Sequence, residues 1–270
     1  MTSHDVVGLL RRRLGERRIG HSGTLDPDAT GVLLCGVGNL TRFLRYLTDL
    51  PKTYTAEVVL GSTTNTLDDS GEVTATFDMT GVTLEQARQL VAAHLTGPIM
   101  QVPPMVSAIR IDGKRLHELA REGIEVDREA RPVTVYRYDV SETDDPMVLA
   151  IVVQCSSGTY IRTLAADLGE LLGGGAHVRK LRRTAIGSFT VAEAAAPDEC
   201  EVWPMARGLR DYTAVTVEDD QARMVRHGRS LPLFEGGGPW AVCDVEGNLL
   251  AMFEANGEEA KPAVVVPELL

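Results

Sequence analysis

A chain of 270 residues with 44% hydrophobic and 24% charged residues has the make-up of a globular protein, with room for one large domain and a small one. Its longest apolar runs, such as Val148-Leu149-Ala150-Ile151-Val152-Val153, are strand-sized, so no helical membrane span is expected, and Met1-Thr2-Ser3-His4-Asp5 has no apolar stretch of the signal-peptide kind. Cys35, Cys155, Cys200 and Cys243 form no Cys-x-x-Cys pair, so metal-thiolate and disulfide frameworks are poor fits and reduced thiols in a cytoplasm are expected. The net charge of −11 argues against a nucleic-acid partner until its distribution is considered. Residues 192–270 hold 15 Asp+Glu against 6 Lys+Arg, whereas residues 1–191 hold 23 against 21. The basic residues of the longer segment are clustered: Arg11, Arg12, Arg13, Arg17 and Arg18; Arg110, Lys114 and Arg115; Arg179, Lys180, Arg182 and Arg183. Local potential decides whether phosphates are attracted, so an RNA-binding surface is compatible with the acidic total.

Val6 to Leu14 carries apolar residues at helical spacing with arginines opposite, and predicts the first helix. Gly20-His21-Ser22-Gly23-Thr24-Leu25-Asp26-Pro27-Asp28-Ala29-Thr30-Gly31 is a glycine- and proline-punctuated loop, followed by a strand through Leu34 and a helix over Leu40–Leu47. Alternation predicts a strand from Tyr54 to Leu60, a polar loop over Asn65–Gly71 with a turn at Asp68-Asp69-Ser70-Gly71, and a helix to about Leu95 opened by a Thr83/Gln86 capping box. Residues 98–131, broken by Pro98, Pro103 and Pro104, read as a basic excursion with a hairpin turn at Asp112-Gly113 and a short helix over Leu116–Arg121. Strands are expected over Val133–Val140 and Met147–Cys155, a helix over Tyr160–Leu172 closed by Gly173-Gly174-Gly175, and one or two strands from Val178 to Phe189. Composition turns acidic near Pro197, where a small β-rich module begins, with Trp240–Cys243 and Leu249–Phe253 flanking a turn at Glu246-Gly247-Asn248.

Asp26 is the candidate nucleophile. Pro27 biases it away from helical backbone, and a carboxylate on a stiff loop can be aimed and can form a covalent intermediate. It must be ionised to do so, which a neighbouring cation favours. Ser156-Ser157-Gly158-Thr159-Tyr160-Ile161-Arg162-Thr163 offers Arg162 at a strand-to-helix turn, although spacing alone leaves that pairing open. An ordinary Asp-Pro turn, a solvated arginine, a half-buried strand tyrosine at Tyr54 and a hydrogen-bonded structural His21 are the bland alternatives.

The Asp26 loop nevertheless resembles, almost residue for residue, the catalytic motif of the tRNA pseudouridine-55 synthase (TruB) family. Lys52-Thr53-Tyr54-Thr55-Ala56-Glu57-Val58-Val59-Leu60-Gly61, the Tyr160–Arg162 segment and Gly175-Ala176-His177-Val178-Arg179-Lys180-Leu181-Arg182-Arg183 are similar to three further motifs of that family, in the same order. The resemblance runs from Thr2 to about Phe189 and implies an α+β pseudouridine-synthase fold, a mixed, mostly antiparallel sheet flanked by helices. It implies a catalytic domain over 1–197 with a T-arm-gripping insertion at 98–131, and a PUA-like module over 198–270. It also implies conversion of the uridine at tRNA position 55 to pseudouridine without cofactor or metal. By the same resemblance Tyr54 stacks on the flipped base, Tyr160 and Arg162 stand beside Asp26, and Leu181 lines the base pocket. His21 fills the gap left by the extruded nucleotide, since unstacking a base costs on the order of a few kcal/mol. Arg42, Arg110, Lys114, Arg115, Arg179, Lys180, Arg182 and Arg183 are expected at the RNA backbone, in a monomer that binds the tRNA T-arm and no membrane.

Two other classes fit parts of the chain. A non-catalytic tRNA-binding or folding module would use the arginines but need neither Asp26 nor Arg162. An Asp-nucleophile glycosidase wants a second carboxylate, and the loop offers Asp28, close in sequence and pointing elsewhere. Family members usually carry a strand and a Lys-Pro-x-Gly segment ahead of the Thr2-Ser3-His4-Asp5 stretch. The resemblance therefore implies that a form extended upstream would be more stable than this one.

Overall fold

Thr2 caps the first helix, Ser3–Leu14, in the computed structural model of the chain: its hydroxyl accepts the Asp5 N–H at 3.2 Å, and the Asp5 carboxylate accepts the Thr2 N–H at 2.8 Å. This box starts the helix ahead of the apolar spacing that begins at Val6, and Gly15 ends it in the left-handed region with φ 65°. The structure describes residues 1–107, 109–111, 113–116, 119 and 122–267, with the backbone alone at 110, 111, 114 and 115. The chain divides into two compact units, one of residues 1–27, 32–50 and 186–270, the other of residues 28–31 and 51–185.

In the first unit, the helix is followed by a hairpin of Ile19–Ser22 against Leu34–Val37, with Ile19 opposite Val37 and His21 opposite Cys35. The strand expected to run through Leu34 thus begins there, and the motif's own first residues supply its partner. The helix expected over Leu40–Leu47 is a 3-10 turn, Gly38–Phe43, followed by an α-helix at Leu44–Asp49. Further along, Thr213–Thr216, Trp240–Cys243, Leu249–Asn256, Glu259–Val265 and Leu231–Pro232 form a five-stranded sheet in that spatial order. The two strands expected around the Glu246-Gly247-Asn248 turn pair antiparallel, Trp240 opposite Phe253. Phe43, Tyr46 and Leu47 from the early helix share one core with Ala241, Met252 and Val264 of this sheet, and Val32 belongs to the same core. Polar ties run alongside it: the Tyr46 hydroxyl donates to the Glu254 carboxylate at 2.7 Å, and the Tyr212 hydroxyl donates to the Tyr46 carbonyl at 2.7 Å.

The second unit is built on a sheet ordered Ala176–Ile186, Lys52–Leu60, Val148–Cys155, Arg131–Glu142, Gly97–Gln101. The short strand Thr30–Gly31 runs parallel beside Arg182–Arg183. Tyr54, Ala56 and Val58 stand opposite Val153, Ile151 and Leu149, so these pairs share one face. The helices Leu84–His94 and Ile161–Leu171 cover that face, with Val91, Leu164 and Leu168 buried against it. The expected Thr83/Gln86 capping box is present, the Gln86 N–H donating to the Thr83 hydroxyl at 3.2 Å. On Arg131–Glu142 the buried positions are Val133 and Val135, then Tyr138 and Val140; a bulge between Val135 and Arg137 shifts the parity.

The stretch expected as an excursion begins inside the sheet, because Gly97–Gln101 pairs with Arg131–Glu142. Beyond it, Arg110–Ile111 and Lys114–Arg115 form a small antiparallel hairpin around Gly113, which has φ 84°. Asp112 of the expected turn lies outside the described residues. So do His117, Glu118, Ala120 and Arg121 of the expected short helix, in which Leu116 and Leu119 are helical.

Candidate active site

The Asp26 loop belongs to the first unit as far as Pro27, and its residues 28–31 to the second. Residues 23–33 connect the two hairpin strands, with Pro27 and Asp28 at a turn and Gly23 at φ 82°, a conformation a side chain would resist. Ser3, buried at the start of the first helix, fastens the loop: its hydroxyl accepts the Leu25 N–H at 2.9 Å and lies 3.4 Å from the Leu25 carbonyl. Asp26, one residue on, is half-buried. The fastening fixes the backbone one residue before the Asp26 carboxylate. His21 is half-buried on the hairpin opposite Cys35, whose thiol burial pushes up to about 11 with Cys200 nearby. That thiol stays protonated at neutral pH.

Tyr54, Tyr160, Arg162 and Leu181 belong to the second unit. Tyr54 and Leu181, from the Lys52–Leu60 and Ala176–Ile186 strands, are partly buried against the same apolar core. Tyr160 is the N-cap residue of the Ile161–Leu171 helix. Gln101, itself 3% exposed, clamps that backbone from both sides. The Gln101 amide oxygen accepts the Tyr160 N–H at 2.8 Å and its amide nitrogen donates to the Tyr160 carbonyl at 3.1 Å. Nothing in the spacing of residues 98–131 marked Gln101 for this role.

Arg162 is 3% exposed. One guanidinium nitrogen donates to the Thr66 carbonyl at 2.7 Å, another to the Val106 carbonyl at 2.8 Å, and Nε stands 3.7 Å from the Asp68 carboxylate. The other oxygen of Asp68 accepts the Thr66 hydroxyl at 2.6 Å, the Ser70 hydroxyl at 2.6 Å and the Ser70 N–H at 3.1 Å. The polar turn read from Asp68-Asp69-Ser70-Gly71 is thus a wired loop whose carboxylate orients an arginine. Leu67 within it takes φ 62°, uncommon for a leucine. The available signal was a pair of carboxylates between hydroxyl residues, Thr66-Leu67-Asp68-Asp69-Ser70, which also describes any Asx turn.

The expected RNA-backbone residues fall into different surroundings. Arg179 and Lys180 bracket Glu57 at 2.6 Å and 2.9 Å, and together they hold its carboxyl below the usual range. Arg182 is exposed and donates to the Thr30 hydroxyl at 3.0 Å, whereas Arg183 is 1% exposed. Gly31, at φ 108°, passes so close that a Cβ there would meet the Arg183 carbonyl oxygen at 2.0 Å, which only glycine allows. Arg42, exposed in the first unit, donates to the Val265 carbonyl at 3.2 Å. The side chains of Arg110, Lys114 and Arg115 lie outside the described residues. Among the described residues no three His, Cys, Asp or Glu side chains gather as a metal ion would require, and no helix is long and apolar enough to cross a membrane.

Residues 11–161 match the N-terminal domain of TruB family pseudouridylate synthases. The chain belongs to this family. Residues 162–203 match the C-terminal domain of tRNA pseudouridylate synthase B, and residues 212–267 the C-terminal domain of tRNA pseudouridine synthase II, so the β-rich module is also a family part. Among relatives, the tRNA pseudouridine synthase B of Arthrobacter sp. (strain FB24) is 42% identical, over 98% of this chain and 92% of that protein. The tRNA pseudouridine synthase B of Corynebacterium aurimucosum is 44% identical over 96% of this chain and 90% of its own length. Two solved structures share the fold. A chain of a Cbf5–Nop10–Gar1 complex gives a TM-score of 0.71 at 24% identity, over 99% of this chain and 81% of that one. A chain of an H/ACA RNP bound to a substrate RNA containing 2′-deoxyuridine gives 0.71 at 23% identity, over 98% and 81%. The mixed α+β pseudouridine-synthase fold expected from the motifs is the fold observed.

Proposed function

We propose that this protein is an intramolecular transferase that isomerises uridine to pseudouridine in tRNA, at position 55 of the T-loop, with Asp26 as nucleophile. The observation that carries the proposal is near-complete overlap with TruB-family synthases together with an intact Asp26 loop. That loop is pinned at Leu25 yet leaves the carboxylate reachable. In this reading the target nucleotide leaves its stack, His21 takes its place, and the uracil lies against Tyr54 and Leu181. Arg162 is assigned to stand beside Asp26 as its cation; two of its own partners are neutral carbonyls and a third is the Asp68 carboxylate, 3.7 Å from Nε. The Asp26 carboxylate forms a bond to the nucleotide, the bond between C1′ and N1 breaks, the uracil turns, C5 bonds to C1′ and the bond to Asp26 breaks. The C5 proton leaves and N1 ends protonated, so substrate and product are isomers and no cofactor enters.

Residues 1–197 are assigned the chemistry, with 98–131 gripping the T-arm and 198–270 as the small C-terminal module. Arg42, Arg110, Lys114, Arg115, Arg179, Lys180 and Arg182 are assigned to phosphates. Arg183 is left out, because its burial gives a phosphate no surface. The enzyme is taken to act as a monomer in the cytoplasm, where tRNA and reduced thiols coexist.

Tritium release from 5-tritiated uridine in a T-arm stem-loop tests the reading. The wild type should release tritium and Asp26→Asn should release essentially none. No release by the wild type removes the activity, and release by Asp26→Asn removes the nucleophile.

A further inference from the structure

The first arginine cluster has no part in the site described above. Residues 11–18 hold five arginines against one glutamate, in a chain whose total is −11. All five arginines are exposed. Arg11 donates to the Ile19 carbonyl at 3.0 Å, and Arg13 to the Pro197 carbonyl at 3.1 Å and the Cys200 sulfur at 3.3 Å. Those acceptors fix the guanidinium groups and leave their charge uncancelled. Arg18 has a carboxylate nearby, Glu16 at 3.7 Å, and also donates to Asn39 at 3.2 Å. Among the described residues the guanidinium groups of Arg12 and Arg17 make no hydrogen bond or ion pair.

Cations in the last turn of a helix offset the negative end of its dipole, and Arg11, Arg12 and Arg13 sit there. Dipole compensation does not account for Arg17 and Arg18, which lie beyond the Gly15 cap. Nor does it need two guanidinium groups left without acceptors. Their five donors in a planar fork suit the oxygens of a phosphodiester. The patch is also fixed in place, because Arg11 ties it to the Ile19–Ser22 strand that leads into the Asp26 loop. An anionic membrane would be repelled by the rest of so acidic a chain, whereas a long polyanion can touch one basic patch locally.

We propose that this patch, with Arg12 and Arg17 foremost, is a further contact for the phosphates of the RNA substrate, in addition to the 98–131 and 179–182 segments. The proposal rests on the tRNA reading given above. Two phosphate contacts on a duplex stem contribute a slope of about −1.8 to log K against log salt concentration.

The test is binding of a full-length tRNA transcript between 50 and 200 mM salt by wild type, R12Q/R17Q and R12K/R17K, with thermal unfolding of each. In R12Q/R17Q the slope should be shallower by about 1.8, so that over this roughly fourfold range in salt wild-type affinity falls about 12-fold more than the variant's. R12K/R17K should keep the wild-type slope. An unchanged slope in R12Q/R17Q overturns the contact, as does an equal loss in the lysine and glutamine variants. Wild-type conversion of uridine is scored separately. If that fails while the slope still shifts, the activity falls and the patch stands; if conversion succeeds with an unchanged slope, the patch falls and the activity stands.

Discussion

Arg162 and Asp26, the two charged groups on which the proposed reaction turns, are held by opposite means. Arg162 is 3% exposed and is met by two backbone carbonyls and one carboxylate, each from a chain segment distant in sequence. Asp26 is half-buried on a loop that Ser3 fastens one residue away, at Leu25. The difference follows from the chemistry each must do. A guanidinium that only supplies field can be enclosed, because its fixed fork of donors can be filled with acceptors while its charge survives. A nucleophilic carboxylate must keep a lone pair open to the substrate, and the Ser3 bond to Leu25 steadies the backbone beside it.

The largest expected effect comes from the enclosed side. Arg162→Gln strands the Thr66 and Val106 carbonyls and leaves Asp68 without its cation, which should lower the urea-unfolding free energy by about 2–4 kcal/mol. A loss under about 1 kcal/mol would mean that water takes over the guanidinium's place and that enclosure is not what holds the loop.

Asp167 probes the same helix one turn further on. Burial pushes its carboxyl up to about 6, with Glu170 adding to the shift. A carboxyl raised in the folded state stabilises the fold fully below its unfolded pKa, near 4, and that contribution is lost as pH rises through 6. Partial exposure reduces the effect, so Asp167→Asn should stabilise the protein by about 1–2 kcal/mol at pH 7 and by little at pH 4. Chemical denaturation at the two pH values reads this directly; the same gain at both would assign it to packing.

Ser3→Ala is the smallest in stability, about 1 kcal/mol for one hydrogen bond. It should nevertheless lower kcat with KM nearly unchanged, because the loop loses aim and the binding surface does not. A stability loss with unaltered kcat would show that the Asp26 loop needs no such fastening.

Much of this architecture was legible locally. The Thr83/Gln86 capping box, the alternation from Tyr54 to Leu60 and the apolar spacing before Leu14 depend on neighbours two to four positions away, and all appear as expected. The motif residues were legible because their types and spacings recur within a family. What escaped was long-range. The clamp of Gln101 on Tyr160 joins residues 59 positions apart, and Ser3 meets Leu25 across 22. The bulge that flips the parity of Arg131–Glu142 depends on its partner strand, and the core joining Phe43 to Met252 depends on the whole unit. Asp68 looked like turn chemistry because its bonds to Thr66 and Ser70 are turn chemistry; only Arg162 makes them more than that.

Arg182 and Arg183 divide the two kinds of knowledge. The sequence put both arginines in a strand segment and, by the family resemblance, both at the RNA backbone, although adjacent residues of a strand point to opposite faces. Which face is covered was decided by tertiary structure. Thr30–Gly31 runs alongside with a glycine where no Cβ fits, Arg183 is closed in, and Arg182 remains outside. Alternation is a property of the backbone, but burial is a property of what packs against it, and that segment lies some 150 residues earlier in the chain.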